Sequence, residues 1–123
     1  MDSEKSYVEE NFHVLKELAN LPPSKRRFIL SKSGPDLISA FAKIFWNLMN
    51  NSDKNNLSDL KTVKLIKKFY PEIGTLIHHS SSIKKKREII LSNVNLQKLA
   101  LNVGLSGYLY YRKENSNKHG TAT

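Results

Sequence analysis

The sequence contains no cysteine, and this absence excludes two kinds of small protein at once. Without thiols the chain can form neither a disulfide framework nor a thiolate metal site, so we expect an intracellular protein rather than a secreted one. Long apolar runs are also missing, because no stretch approaches the roughly 18 residues that span a bilayer. Residues 1–4 are polar and acidic, and we therefore expect no secretory signal.

Residue patterns for catalysis and for metal binding are scarce as well. The four histidines are His13, His78, His79 and His119. They lack the ligand spacing of a zinc site, and the chain has no glycine-rich phosphate loop and no G-x-S-x-G motif. Asp36 and Asp59 fall in the first turns of predicted helices, where a carboxylate complements the helix dipole. We expect a non-enzymatic protein that binds no metal ion and no other cofactor.

Acidic residues are few outside the first 20 positions. The whole chain has 20 Lys and Arg residues against 11 Asp and Glu residues, a net charge of +9. Residues 1–20 hold five acids and two bases, which leaves residues 21–123 with eighteen bases, six acids and a net charge of +12. Such a charge attracts polyanions, although it does not identify which one.

The apolar residues that are present recur at helical spacing, and no window alternates with the period of a strand. The apolar stripe from Val8 to Leu18 predicts an amphipathic first helix over about 4–19. Two prolines end this helix, and Ser24 stands where the N-cap of a short second helix over 25–31 is expected.

Further helices are predicted in the rest of the chain. Pro35 suits the first position of a third helix over 35–49, which is the most apolar element and should form the centre of the core. A polar loop over 50–56 and a cap at Ser58 then lead into a lysine-rich fourth helix. A short continuation over 72–78 and a second basic helix over 83–91 should follow.

The predicted fold class is all-α: a small single-domain bundle of about five to six short helices with a disordered C-terminal tail. A chain of 123 residues suits one modest core. The predicted parts are an acidic amphipathic first helix at 1–20, a basic helical core domain at 21–92, a weakly helical, aromatic segment at 93–111 and a disordered polar tail at 112–123.

Two stretches 61 residues apart share the pattern K-R-x-x-I-L-S, namely Lys25–Ser31 and Lys86–Ser92. In both, the basic residues fall near the start of a predicted short helix. Positive charge is unfavourable at that end, by about 0.3–1 kcal/mol per residue at low salt. Two helices with the same unfavourable charge placement indicate a role outside folding, most simply anion binding. Two solvated helix faces in a lysine-rich chain would give the same pattern.

The order of these segments resembles a known family. The chain reads L-x-x-L-P-P-S-K-R-R-x-I-L, then P-D-L-I-x-A, N-L-M-N, a polar loop, a lysine-rich helix and S-x-K-K-K-R-x-I-I-L. This series, over about 15–91, is similar to that of the small basic proteins of polinton or maverick-type elements and adintoviruses. The resemblance implies a virion core protein or nucleoprotein, akin to the small basic core peptide of adenoviruses, that is packaged with double-stranded DNA beside capsid proteins in a virion or a host nucleus.

The basic clusters are the candidate nucleic-acid site. The predicted contacts are Lys25, Arg26, Arg27, Lys61, Lys64, Lys67, Lys68, Lys84, Lys85, Lys86 and Arg87. Because this set is mostly lysine, with few Asn or Gln residues to read bases, we expect sequence-independent binding to the phosphate backbone of double-stranded DNA. Tyr108, Tyr110 and Tyr111 could stack on unpaired bases or anchor the C-terminal segment on the domain.

Two other functions also fit a basic helical domain. A helical adaptor could bind an acidic partner protein through its basic helices. A peripheral, membrane-active capsid-associated protein could lie on an anionic bilayer through a basic amphipathic helix and residues 96–111. Asn102, Gly104, Ser106 and Gly107 interrupt that segment and make membrane binding the weaker alternative.

Overall fold

The computed structural model describes residues 6–50 and 60–108, and all regular structure in these ranges is helical. The predicted all-α class is confirmed, with eight α-helices and one π-helical segment in the described ranges instead of five to six helices. The α-helices are α1 Tyr7–Glu10, α2 Phe12–Asn20, α3 Pro23–Lys32, α4 Pro35–Asn50, α5 Leu60–Lys68, α6 Tyr70–Ile77, α7 Ile83–Leu91 and α8 Val94–Lys98, and the π-helical segment is Leu99–Gly104.

The predicted first helix is divided in two at Asn11. The Asn11 side chain donates a hydrogen bond from Nδ2 to the carbonyl oxygen of Tyr7 at 2.7 Å, and its backbone N–H also reaches the Tyr7 oxygen. An Asn side chain competes with the helix ladder in this way, so α1 ends after one turn and α2 begins at Phe12.

Helix α3 begins two residues earlier than predicted, at Pro23, so the assignment of Ser24 as an N-cap was wrong. Pro22 holds the cap position in an extended conformation and Pro23 is the first helical residue, where its missing N–H costs nothing. Ser82 by contrast is the N-cap of α7, and its side chain accepts a hydrogen bond from the Lys85 N–H at 3.1 Å.

Helix α4 is the centre of the core, as predicted, because it contacts α1, α6, α7 and the π-helical segment. Its buried residues are Leu37, Ile38, Ala40, Phe41, Ile44, Phe45, Asn47 and Leu48. They are spread around more than one face of α4, and this explains why several helices can pack on it.

Residues 94–108 belong to the same core. Their buried apolar side chains are Leu96, Leu99, Ala100, Leu101, Leu105 and Tyr108. The π-helical segment lies close to α4: a Cβ atom placed on Gly104 would come within 2.5 Å of Cγ2 of Ile44. Residues 105–108 are α-helical again.

Some predicted features lie outside the described residues. They are the first two residues of the predicted helix over 4–19, residues 51–56 of the loop, the cap at Ser58, Asp59, Tyr110, Tyr111 and the tail 112–123, which includes His119. In the part of the chain that the structure covers, no helix is both long and apolar enough to cross a membrane.

Candidate nucleic-acid interface

The two basic helices pack against each other in antiparallel orientation. Arg27 is the fifth residue of α3 and donates a hydrogen bond from Nη1 to the carbonyl oxygen of Leu91, the last residue of α7. Arg87 is the fifth residue of α7 and donates from Nη2 to the carbonyl oxygen of Ser33, the C-cap of α3, at 2.9 Å. Each arginine therefore caps the C-terminal end of the other helix.

This reciprocal capping gives a structural reason for the repeated basic pattern. Carbonyl groups at a helix C-terminus lack partners within the helix and carry partial negative charge. Arg27 and Arg87 lie in the middle of their own helices, and each is beside the C-terminal end of its antiparallel neighbour. The repeated arginine therefore has a role inside the protein, and Nε of Arg87 is buried with no hydrogen-bond partner among the described residues.

The two helices correspond with an offset of 60 residues, one fewer than the sequence match suggested. Arg27 corresponds to Arg87 by function, and the buried pair Arg26 and Leu30 of α3 corresponds to the buried Lys86 and Ile90 of α7. The extended N-caps, Pro22 and Ser82, have the same offset. Burial and capping thus relate the two helices by an offset of 60 residues, whereas the shared pattern K-R-x-x-I-L-S relates them by 61.

Arg26 lies in the protein interior, with 4% of its surface exposed. Its Nε donates to the carbonyl oxygen of Leu18 at 3.0 Å and its Nη2 to that of Leu21 at 3.1 Å, so it caps the C-terminal end of α2. Burial lowers the pKa of the Arg26 guanidinium, because desolvation penalises the charged form. Lys86 is also buried, with 9% exposed. Neither side chain is presented to a ligand in solution.

The lysines of α5 form a continuous exposed face. Lys61, Lys64, Lys67 and Lys68 are all exposed. Their spacing of three or four residues places them on one side of the helix, while Thr62 is its buried residue. Among the predicted contacts, this group is the one that the structure brings together at the surface.

The other exposed lysines of the predicted interface lie in two separate places. Lys25 is at the start of α3, and Lys84 and Lys85 are at the start of α7. Antiparallel packing puts these starts at opposite ends of the helix pair, about 15 Å apart for a ten-residue helix. Helix α6, about 12 Å long, lies between the end of α5 and the start of α7. The predicted contacts therefore form three exposed groups rather than one patch.

The exposure of Trp46 and Phe28 was not expected from the sequence. Trp46 of α4 is 43% exposed, and the ammonium group of Lys43 lies 4.6 Å from the centroid of its ring. Phe28 of α3 has a similar contact with Lys32 at 5.5 Å. A lysine three or four residues from an aromatic residue is the signal that could have indicated these pairs. Tyr108 is buried, so it anchors its segment instead of offering a ring to bases.

No cluster of three His, Cys, Asp or Glu side chains that could hold a metal ion occurs among residues 6–50 and 60–108. His78 and His79 stack on each other with ring centroids 5.2 Å apart, and Nδ1 of His78 lies 2.7 Å from the Ser80 hydroxyl. Both histidines are exposed.

Comparison with known proteins finds no match: no family model, no curated protein and no solved structure is similar to this chain. The kinship with polinton and adintovirus proteins therefore stays a prediction from the motifs. The function has to be argued from the exposed surface itself.

Proposed function

We propose that this protein binds double-stranded nucleic acid through its phosphate backbone, without reading sequence and without catalysis. The observation that carries the proposal is the lysine face of α5, made by Lys61, Lys64, Lys67 and Lys68. A row of flexible ammonium groups can follow a row of phosphates, because each lysine acts as a point charge on a flexible stem.

Lys84 and Lys85 extend the proposed interface. Both are exposed in the first turn of α7, at the end of α6 that is remote from α5. A duplex carries one phosphate charge per about 1.7 Å of its axis, so a rod of this kind is long enough to contact groups that are separated by the length of α6. Arg26, Arg27, Lys86 and Arg87 are left out of the revised interface, because they are buried or donate to helix-end carbonyls.

The biological role that we propose is condensation or packaging of double-stranded DNA in a virion core, beside capsid proteins or in a host nucleus. The support is the sequence resemblance together with the net charge of +12 over residues 21–123. Binding that depends only on phosphates suits a packaging protein, because such a protein must cover DNA of any sequence.

The test is a salt titration of the affinity for duplex DNA. Six lysine–phosphate contacts predict a slope of about −5 in log K against log salt, and a loss of about 10³ in affinity between 50 and 200 mM salt. Duplexes of unrelated sequence should bind equally well. A slope near zero, or a strong preference for one sequence, would contradict the proposal.

A matched pair of triple variants locates the interface. Replacing Lys64, Lys67 and Lys68 by Ala should reduce the slope by about 3, because three phosphate contacts are lost. The control replaces Lys16, Lys43 and Lys98, which are exposed on other helices, and removes the same charge. If both variants lose affinity equally, net charge acts without a defined interface.

A further inference from the structure

Helix α3 exposes an apolar face that its core packing does not use. Phe28 is 64% exposed and Ile29 is 37% exposed, while Arg26 and Leu30 fill the opposite, buried face of the same helix. A large aromatic side chain that stays in solvent is informative, because folding alone gives no reason to keep it there.

The exposed face includes a shallow pocket that is largely open to solvent. It has a volume of about 310 Å³ and is lined by Leu21, Ser24, Lys25, Phe28 and Ile29. Its size is at the lower end of the range for ligand pockets, and it is suited to one or two apolar side chains. A concave apolar site accepts a protruding side chain better than it accepts a flat surface.

Charge flanks the pocket on both sides. Lys25 and Lys32 are three residues before and four residues after Phe28, so all three share one face of α3. Lys25 also lines the pocket, and the ammonium group of Lys32 lies over the Phe28 ring at 5.5 Å. The site thus combines an apolar centre with a positive border.

We propose that this face of α3 docks a short segment of a partner protein that carries a large apolar side chain next to acidic residues. The apolar side chain would enter the pocket against Phe28 and Ile29, and the carboxylates would pair with Lys25 and Lys32. Complementary charge sets the orientation of such a contact, and the apolar anchor supplies most of its affinity.

Other occupants fit the site less well. A second copy of this chain would bring the same lysines together, and like charges oppose that contact. Membrane binding needs a broad apolar face, whereas α3 offers Phe28 and Ile29 beside a concave site and keeps its other face in the core. A DNA duplex would leave the apolar side chains against phosphates, with nothing to fill the pocket.

The experiment is a selection of random peptides on the full-length protein, followed by affinity measurements on the enriched peptides. The expected consensus has an aromatic or large aliphatic residue with Asp or Glu within one turn. Affinity for an enriched peptide should fall at least tenfold in F28S and at least tenfold in the double variant K25E/K32E. Circular dichroism checks that each variant stays folded, and Phe28 is exposed enough for its replacement to be tolerated.

Two controls separate this site from general charge and general apolar surface. W46S removes an exposed aromatic side chain from α4, and K16E/K98E makes the same charge change on α2 and α8. Both should bind the peptide with unchanged affinity. Absence of a consensus, or peptide binding that survives F28S, would overturn the proposal.

Vesicles of phosphatidylcholine with phosphatidylserine, and duplex DNA, are tested in parallel. If F28S weakens binding to either of them by tenfold, the face belongs to a membrane or nucleic-acid site and the docking proposal fails. If F28S leaves DNA binding intact while it abolishes peptide binding, the two surfaces act independently. A failure of DNA binding in the unmodified protein would therefore not affect this inference.

Discussion

At the scale of single residues, the arginines of α3 and α7 show how a charge can be placed for a neighbouring helix. Arg27 and Arg87 each donate to a carbonyl at the end of the other helix. Hydrogen bonds from a charged donor are stronger than neutral ones, and the carbonyl that loses its donor is left without a partner. These contacts tie α3 to α7 as well as capping both.

Replacing Arg87 by Ala should lower the free energy of unfolding by about 2 kcal/mol, because a half-buried charged donor is removed from the Ser33 carbonyl. Arg27 is more exposed, so R27A should cost about 1 kcal/mol. Urea denaturation measures both. K25A, in the same turn as Arg27, serves as the control and should change stability by less than about 0.5 kcal/mol. An equal loss in all three variants would mean that the arginines act only through net charge.

Gly104 is needed for close packing. In G104A the new Cβ would meet Cγ2 of Ile44 at 2.5 Å. That methyl group is bonded to Cβ of Ile44, so it can move away only if χ1 rotates or the backbone shifts. We expect a loss of about 1–3 kcal/mol from overpacking. Gly74 has no atom within 4 Å of the same position and lies in α6, so G74A should raise stability by about 0.5–1 kcal/mol. Thermal denaturation of the two variants should shift in opposite directions, and a stabilised G104A would contradict the packing argument.

Single residues are also where the sequence was least informative about the site. Nothing in the string Lys25-Arg26-Arg27 distinguishes a buried arginine from an exposed one. Arg26 is buried because it occupies the inward face of α3, one turn before Leu30, and because the Leu18 and Leu21 carbonyl oxygens at the end of α2 lie beside it and accept its hydrogen bonds. That geometry depends on how α2 and α3 meet, which no local pattern contains.

At the scale of elements, the spacing of apolar residues predicted those helices well whose buried residues have the same spacing. The bounds of α7 were predicted to the residue, and those of α4 to within one residue. The break between α1 and α2 was missed, because it depends on a side-chain hydrogen bond of Asn11 rather than on hydrophobic periodicity. Tertiary packing likewise determines the helical segment after Asn93, whose sequence pattern was weak.

Ser24 and Ser82, the serines before the two basic clusters, provide a test of helix starts. S82A should lower stability by about 1 kcal/mol, because the Lys85 N–H loses its acceptor at the N-cap. S24A should have almost no effect, since Ser24 is inside the first turn of α3 and Pro22 holds the cap position. Chemical denaturation of both variants compares them directly, and similar losses would show that Ser24 also caps.

At the scale of the whole molecule, the positive charge is distributed over several exposed groups. The count of charges could be read from the sequence, but their arrangement could not, since it follows from the antiparallel packing of α3 on α7 and from the position of α6. Groups that lie about 12–15 Å apart are beyond the Debye length of about 8 Å at physiological salt. An extended polyanion can bridge such groups, whereas a small anion meets each of them alone.

The core, in contrast, includes side chains from the whole described chain, and the domain should lose its folded structure when residues 94–123 are removed. Four leucines of this part are buried: Leu96, Leu99, Leu101 and Leu105. Each contributes roughly 1.5–3 kcal/mol of burial, about 6–12 kcal/mol together, which approaches the whole stability of a typical domain.

A chain that ends at residue 93 would also expose Ile44 and the face of α4 against which Gly104 packs. We expect this truncated chain to lose its cooperative thermal transition and to bind a hydrophobic dye, whereas a chain that ends at residue 111 should keep the transition. Cooperative unfolding of the shorter chain would show that residues 1–93 hold a core of their own.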